Sequence, residues 1–324
     1  MAGALGRYWY ARGLWSEGRS LLLEILARAD AGKPTAGRAR ALDWAGWLSY
    51  WQGDFHQAAQ LLKESLPIWQ EAGEALGMAE ALNNLGAVAE AGGNYAEAIE
   101  YHEKSLAIRR GHKDRRAIGV SLHNLGETHL KLGNYARARM AYQESLALFR
   151  ESGHKMGIAD SLSSLGIVAE RQGDYAQARR YHEEALKNRR DRQDPMGISE
   201  SLHNLAELAA KQGEYAEALG CYAQSLAMRQ KLGDRMNIAD SLEGLGTLAA
   251  ARKEHIRATR LLGAARSLRE QINAPPSPAK QKRVDTTLSL VRSQLGEPAF
   301  SQEWDKARGL SVEEATHYAL RRGA

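Results

Sequence analysis

Histidine, cysteine, carboxylate and glycine residues could carry chemistry in this sequence, and their spacing decides what they can do. His102 and His182 both follow a tyrosine, but eighty residues separate them, unlike the close spacing of metal ligands. Gly92-Gly93 lacks the Lys-Ser/Thr that follows a phosphate-binding loop, and no His-Glu-x-x-His motif occurs. The single Cys221 excludes a disulfide framework and a multi-cysteine metal site. We therefore predict no catalytic residue, no cofactor and no metal ion, with both histidines packed and hydrogen-bonded on a helix.

The residues that recur at fixed spacing instead define a repeat of forty residues. Its clearest copy is Ile158 to Arg190, and leucine, glycine, tyrosine and alanine match it one copy forward and two copies back. The matching sets are Leu82, Leu85, Gly86, Gly93, Tyr95, Ala98 and Leu106; Leu122, Leu125, Gly126, Gly133, Tyr135, Ala138 and Leu146; Leu162, Leu165, Gly166, Gly173, Tyr175, Ala178 and Leu186; and Leu202, Leu205, Ala206, Gly213, Tyr215, Ala218 and Leu226. A fixed period in this range is typical of a solenoid, in which each unit packs against its neighbours.

Each unit has the pattern of two helices joined by a tight turn. Leu82, Leu85 and Gly86 fall on one face at 3.6-residue periodicity and predict the first helix of the pair, helix A. Gly93 suits the left-handed position that ends a helix, and Asn94 can cap the second helix, helix B. We predict an all-α fold with seven helix pairs in residues 1–272, at roughly 2–30, 37–71, 77–111, 117–151, 157–191, 197–231 and 237–272.

The repeat ends at a proline-rich break after the seventh pair. That pair already departs from the pattern, because Lys253 replaces the turn glycine and His255 replaces the aromatic residue. Residues 274–278, Ala-Pro-Pro-Ser-Pro, then interrupt the helix. We predict helices at 280–295, near 300–308 and at 311–321, and expect residues 273–324 to cap the array. The other end starts inside a helix rich in aromatic residues, so we expect it to be cut from a longer protein or docked on a partner.

Charge and hydropathy argue against two other classes of protein. Residues 1–251 carry 30 basic and 31 acidic side chains, whereas residues 252–324 carry 14 and 8. A solenoid that binds nucleic acid should have a basic excess along its repeats, so we predict no direct nucleic-acid partner. No apolar stretch approaches the length of a membrane span, and Met1 is not followed by a secretory signal. We therefore expect a cytoplasmic protein without membrane contact.

The Gly-Asn/Asp-Tyr turn, the Leu-x-x-Leu-Gly of helix A and the Ala-x-x-x-His/Tyr-x-x-Ser/Ala-Leu of helix B resemble tetratricopeptide repeats. The period is similar to the long variant of that family, whose consensus unit has about 34 residues. The resemblance covers about residues 1–272 and implies a right-handed superhelix with a concave groove for a protein or peptide. The tail segments RLLGAARSLREQINAPPSP and LGEPAFSQEWDKARGLSVEEATHYAL resemble the end of bacterial signal-transduction ATPases and LuxR-like transcription regulators. That likeness implies a sensory region whose upstream ATPase or switch module is missing from this chain.

In tetratricopeptide arrays the side of helix A opposite its buried face lines the groove, and the resemblance transfers that role to the matching positions. Asn84, Asn124 and Asn204 are the main candidates, because related adaptors use an asparagine there and an amide both donates and accepts hydrogen bonds. The alternative is a solvated polar residue that binds nothing. The other predicted groove residues are Asn83, His123, Glu127, Lys131, Ser164, Ile167, His203 and Glu207.

Tryptophan is concentrated at the start of the chain, where six of the seven indoles lie in the first 69 residues. Trp44, Trp47 and Trp51 correspond to the groove-facing positions 84, 87 and 91 of the third pair. Three exposed indoles on one helix would form an apolar patch typical of an interface. They could instead be wedges between tightly packed early repeats, but we favour the interface.

Together these patterns favour a non-catalytic scaffold that binds a protein or peptide, as the sensory or interaction region of an ATPase-linked transcription regulator. A free-standing peptide receptor or adaptor is the alternative among binding proteins. An enzyme would need an unrecognised site in the tail, where no catalytic spacing occurs. The sequence leaves the oligomeric state and the identity of the partner open.

Overall fold

The computed structural model describes residues 2–28 and 34–321, and all regular secondary structure in these two ranges is α-helical. The predicted all-α repeat is confirmed, although the last two residues of the first predicted pair lie outside the described ranges. The described helices are α1 Ala2–Arg12, α2 Trp15–Arg28, α3 Ala36–Trp51, α4 Phe55–Glu71, α5 Ala75–Ala91, α6 Tyr95–Gly111, α7 Arg115–Lys131, α8 Tyr135–Glu151, α9 Lys155–Arg171, α10 Tyr175–Asp191, α11 Pro195–Lys211, α12 Tyr215–Leu232, α13 Arg235–Ala251, α14 His255–Gln271, α15 Pro278–Leu295, α16 Glu297–Arg308 and α17 Val312–Leu320. Contacts divide the chain into two compact units, unit 1 up to Val168 and unit 2 from Ala169.

The turns inside and between helix pairs follow the chemistry of their residues. Gly93 has a φ of +80°, the left-handed region that favours glycine, and the turn glycines of the neighbouring pairs do the same. Asp54 and Asp174 cap the next helix by accepting a hydrogen bond from the backbone two or three residues into it. Asn94 stands at the same position but makes no side-chain cap bond, so the predicted cap is wrong there.

Within each pair the two helices approach closely at a glycine of helix A. A Cβ atom at Gly86 would lie 2.4 Å from Cε1 of His102, and one at Gly126 would lie 2.7 Å from Cε1 of Tyr142. Small residues therefore make room for the large side chains of helix B. His102 and His182 are packed as predicted, but His102 Nδ1 and both ring nitrogens of His182 have no hydrogen-bond partner. Burial lowers the pKa of each of these two histidines to about 4.

Buried arginines near the end of helix B connect one pair to the next. In unit 1, Arg109 donates to the backbone oxygen of Ala117 (3.0 Å) and to Oγ of Ser121 (2.8 Å). In unit 2, Arg229 makes the same pair of bonds to Asn237 (2.9 Å) and Ser241 (2.7 Å). Besides complementing the helix dipole, these cations hold successive pairs together, because each fills a buried position between them.

In unit 2 the tail departs from the repeat immediately after α14. By the forty-residue period α15 should be the next helix A. The residues at the buried positions of a helix A are nevertheless all exposed in α15: Lys282, Asp285, Thr286 and Ser289. Its buried residues are Val284, Thr287 and Val291. Of the tail helices, α16 packs most extensively on α14, where its Ala307 approaches Gly263, while α15 lies against α13 and α14. Helix α17 contacts α12, α13 and α14.

Candidate functional site

The A face is the side of each helix A that carries the repeat positions of Asn84 and Ala87. In α5, α7 and α11 both positions are half-buried. Successive A helices touch within each unit, α5 with α7 and α11 with α13, so a side chain on one A face can reach the next. This arrangement brings together predicted residues that are about forty positions apart in the sequence.

In unit 1 the A face of α5 and α7 is linked by polar side chains. Asn124 donates its amide to Oδ1 of Asn83 (3.1 Å), so these two predicted groove residues bind each other. Glu90 accepts from Oγ1 of Thr128 (2.7 Å) and from Nζ of Lys131 (2.5 Å). Glu90 was not among the predicted groove residues, although a glutamate holds the same repeat position two copies later, at Glu170. Asn84, next to Asn83 on α5, is half-buried, and its side chain has no hydrogen-bond partner within residues 2–28 and 34–321.

Glu127 is the central carboxylate of the next step along the A face. It accepts hydrogen bonds from the hydroxyl of Tyr142 (2.6 Å) and from Oγ of Ser164 (3.0 Å), and Nε2 of His123 is 3.8 Å away. Because both donors are neutral hydroxyls, they hold the carboxylate in place without cancelling its charge. Burial, followed by the charge of Glu127, raises the pKa of Tyr142, which keeps that hydroxyl protonated. Ile167 is half-buried on α9, about two helical turns from Asp160, which is half-buried as well.

Of the three tryptophans of α3, one packs between α3 and α1, and the other two belong to an aromatic cluster. Trp44 packs on α1, since a Cβ at Gly6 would lie 2.2 Å from its Cδ2, so the predicted exposure of Trp44 is wrong. Trp47 is half-buried and stacks on Tyr50 with ring centroids 4.9 Å apart, whereas Trp51 is 40% exposed. The cluster consists of Tyr10, Trp15, Trp47, Tyr50, Trp51 and Phe55, whose neighbouring rings are 4.9–5.9 Å apart. Tyr10, Trp15 and Phe55 come from other helices, which explains why α3 alone did not predict them.

In unit 2 the tail helix α15 covers carboxylates of the A face. Nη2 of Arg283 is 2.9 Å from Oε1 of Glu207, and Nζ of Lys280 is 2.7 Å from Oδ2 of Asp240. His203 is buried, and its Nδ1 is 3.1 Å from a guanidinium nitrogen of Arg229. The predicted residue Glu207 therefore lies beneath α15, and His203 and Asn204 are one turn away on the same helix. Among the described residues, buried Nδ2 of Asn204 has no hydrogen-bond partner.

The charges in this part of unit 2 perturb one another. Burial alone would raise the pKa of Glu207, but His203 and Arg283 outweigh it and lower that pKa to about 2. Burial likewise opposes ionisation of Asp240, and Lys280 is the main group that lowers its pKa. Burial lowers the pKa of His203 to about 4, so it is neutral at pH 7. Glu207 and Asp240 are consequently ionised when α15 contacts them.

Other chemistry has little support in the described residues. Residues 2–28 and 34–321 contain no group of three or more histidine, cysteine or acidic side chains placed to hold a metal ion. Cys221 is half-buried, and burial raises the pKa of its thiol, which disfavours the reactive thiolate. Within the same residues, none of the helices combines the length and the apolar composition required to cross a membrane.

Comparison with known proteins agrees with this geometry. A family model described as tetratricopeptide repeat matches residues 37–111, 118–191 and 197–271. Among curated protein sequences, no match is found. The matched ranges cover helices α3 to α14 and therefore all six pairs from α3–α4 onward.

Several solved structures share the fold at low sequence identity. The apo form of RapI is 17% identical, with a TM-score of 0.67 over 85% of this chain and 98% of that chain. A Rap protein complexed with competence and sporulation factor is 13% identical, with a TM-score of 0.66 over 93% of this chain and 81% of that chain. A signal transduction ATPase with numerous domains and a tetratricopeptide repeat sensor, from Pyrococcus horikoshii, is 18% identical, with a TM-score of 0.66 over 89% of this chain and 42% of that chain. At these identities the similarity shows the fold alone.

Proposed function

This chain belongs to the tetratricopeptide repeat family, and from that premise we propose that it is a non-catalytic scaffold that binds a protein or peptide on its A face. The observation that carries the proposal is the surface of unit 1 where the aromatic cluster adjoins the polar A face. Helix α3, which carries Trp47, Tyr50 and Trp51, contacts α5, which carries Asn84 and Glu90. Burial and then the charge of Glu90 raise the pKa of Tyr50, whereas the charge of Lys131 lowers it. An apolar patch bordered by polar groups is the usual anatomy of a protein interface.

The two parts of this surface would have different tasks. Trp51 and Tyr10, both substantially exposed, offer apolar area for an anchoring side chain of the ligand. Asn84 has a free amide that can both donate to and accept from a peptide backbone. Asn124 donates one amide N–H to Asn83, which leaves its second N–H as a donor and its oxygen as an acceptor. The proposed site therefore combines an aromatic anchor with a short row of amide groups.

We further propose that the binding surface is the sensory or interaction region of an ATPase-linked regulator. The tail segments that resemble such regulators and the shared fold with the sensor-containing ATPase support this setting. Binding would act by favouring one packing of the array on a switch module, since a ligand shifts an equilibrium only by its difference in affinity for the two states. The fold shared with a Rap protein bound to competence and sporulation factor supports a second candidate, a free-standing peptide receptor.

A peptide-array screen with the intact chain, followed by affinity measurement on the peptides it selects, tests the binding function. The Trp51→Ser variant should reduce that affinity by at least tenfold, because the exposed indole supplies the anchor. The matched control is Tyr8→Ser, which removes an exposed aromatic residue of α1 outside the cluster. Because Trp51 contacts four rings and each such pair is worth about 0.5–1.5 kcal/mol, thermal unfolding of both variants is measured and affinities are compared at a temperature where both are folded.

The proposal fails if Trp51→Ser and Tyr8→Ser bind the selected peptides as tightly as the natural sequence does. Nucleotide hydrolysis by this chain alone would contradict a non-catalytic role. Co-purification with a nucleotide-hydrolysing partner whose rate changes when the peptide is added would favour the regulator. Peptide binding without any such partner would favour the free-standing receptor.

A further inference from the structure

A two-pair block of the sequence occurs twice, eighty residues apart, and it carries the groups that hold α15. Residues 121–131 are SLHNLGETHLK and residues 201–211 are SLHNLAELAAK, so Glu127 and Glu207 are equivalent. Residues 158–162 and 238–242 are both IADSL, so Asp160 and Asp240 are equivalent as well. Each unit therefore contains one copy of the same composite A face, a glutamate on one helix A and an aspartate on the next.

The copy in unit 2 shows what this surface binds. Lys280 and Arg283 are three residues apart, so both point from one side of α15. Lys280 contacts Asp240 at 2.7 Å, and Arg283 contacts Glu207 at 2.9 Å. Asp240 accepts Lys280 even though it already pairs with Arg269, so a carboxylate with one internal partner still holds a second cation.

The copy in unit 1 has the same groups, but in the part of the chain that the structure describes no tail helix is bonded to Glu127. The side chain of Glu127 is 34% exposed, compared with 23% for Glu207 beneath α15, and its bonded neighbours come from α7, α8 and α9. Asp160 is half-buried. The supporting residues match too, with His123, Asn124 and Lys131 in place of His203, Asn204 and Lys211.

The preceding steps of unit 1 lack this pair. The corresponding residues are Trp47 with Glu80, and Ala87 with Val120, neither of which supplies two carboxylates. Two carboxylates on adjacent helices can engage two cations spaced one turn apart, whereas a single carboxylate cannot select that spacing. The acidic pair therefore distinguishes one place on the A face of unit 1.

We propose that Glu127 and Asp160 form a binding site for a basic helical segment of a partner protein, with lysine and arginine three residues apart, equivalent to the site that holds α15 in unit 2. This proposal rests on the proposed function and adds the chemistry of the ligand. The arginine binds Glu127, which Tyr142 and Ser164 hold in position, and the lysine binds Asp160. Specificity comes from the spacing of the two cations along the ligand helix.

The test uses the α15 sequence itself as the probe. A fluorescein-labelled, amidated peptide of residues 278–295 is titrated with the full chain, and binding is followed by fluorescence anisotropy at low salt. Saturable binding is expected, and a peptide with Lys280→Glu and Arg283→Glu should bind at least tenfold more weakly. The chain with Glu127→Gln and Asp160→Asn should also lose at least tenfold, since both changes keep the side-chain shape and remove only the charge.

Two further variants make the outcome unambiguous. Glu100→Gln with Glu103→Gln makes the same change of charge on exposed residues of α6 and should leave binding unchanged. The peptide could instead displace α15 from its own site in unit 2. In that case Glu207→Gln with Asp240→Asn would abolish binding and the unit 1 variant would not. That result would overturn the proposal. Equal loss in the α6 control would also overturn it, because it would show non-specific attraction. Circular dichroism of each variant verifies its helical fold.

The proposed function and this inference fail differently. If array-selected peptides bind and respond to Trp51→Ser while the α15 peptide does not bind, the scaffold function stands and the basic-helix site is wrong. If neither the selected peptides nor the α15 peptide binds, both are wrong.

Discussion

The free energy of unfolding of unit 1 should fall less between pH 7 and pH 5 when His102 is replaced by leucine. His102 is 1% exposed and packs over Gly86 in the middle of the α5–α6 pair. Burial, with a smaller effect of Arg109, lowers the pKa of His102 to about 4, whereas an unfolded histidine titrates near about 6.5. The folded chain thus keeps this imidazole neutral under conditions in which the unfolded chain protonates it.

The direction and size of the effect follow from this difference. Because the folded-state pKa is depressed, the unfolded chain binds the extra proton first as the pH falls. The stability contributed by neutral burial is present above about pH 6.5 and is lost as the pH falls from about 6.5 to about 4. At about 1.4 kcal/mol per pH unit, acidification from pH 7 to pH 5 should cost about 2 kcal/mol through His102 alone.

Leucine is the appropriate substitution because the chain already uses it at this repeat position. Leu62 packs over Gly46, and Leu262 packs over Gly246, with Cγ atoms 2.9 and 2.7 Å from where a glycine Cβ would be. His102→Leu therefore fits the space and leaves no buried polar atom. Urea unfolding at pH 7 and pH 5, followed by tryptophan fluorescence, reports unit 1, since six of the seven tryptophans lie in the first 69 residues.

The variant should lose about 2 kcal/mol less than the natural sequence between pH 7 and pH 5. His56→Gln, which changes an exposed histidine of α4, should leave that loss unchanged. Parallel loss in all three proteins would refute the assignment, because it would mean that His102 has the same pKa in the folded and unfolded chains.

Two other expectations follow from the buried cations. Arg109→Met should lower the free energy of unfolding of unit 1 by about 2 kcal/mol, because the carbonyl of Ala117 loses a buried partner. Arg110→Met, which removes the exposed ion pair with Glu144, should cost less than about 1 kcal/mol, and equal effects in the two urea titrations would contradict the connecting role. Arg283→Gln should speed amide hydrogen exchange in α15, because it removes the cation that contacts the half-buried carboxylate of Glu207, and unchanged exchange would show that apolar packing alone holds the helix.

Much of the candidate site could be placed from the sequence, since a residue's repeat position predicts its side of helix A. Asn84, Glu127 and Trp51 lie on the A face that the pattern indicated. Which partner each side chain has could not be read in the same way. Asn124 donates to Asn83 and Trp44 packs on α1, because both contacts depend on how far one helix is rotated and shifted against another. Periodicity carries no information about that rotation.

Local physics explains why the sequence alone determined the helical repeat. The 3.6-residue spacing of Leu82, Leu85 and Gly86 defines a buried face, and glycine at the left-handed turn position ends the helix. These signals act within a few residues, and each recurs forty positions later. They predict the helix pairs of the repeat but not the arrangement of the tail, where the repeat ends.

Only the tertiary structure decided where α15 lies and what it covers. Its place in the chain is that of the next helix A, but the residues that a helix A would bury, such as Lys282 and Asp285, are charged. Burying them without partners would cost more than any stacking contact returns, so α15 turns a different face inward and α16 packs on α14 instead. The contact of Arg283 with Glu207 joins residues 76 positions apart and exists only because of that change in packing.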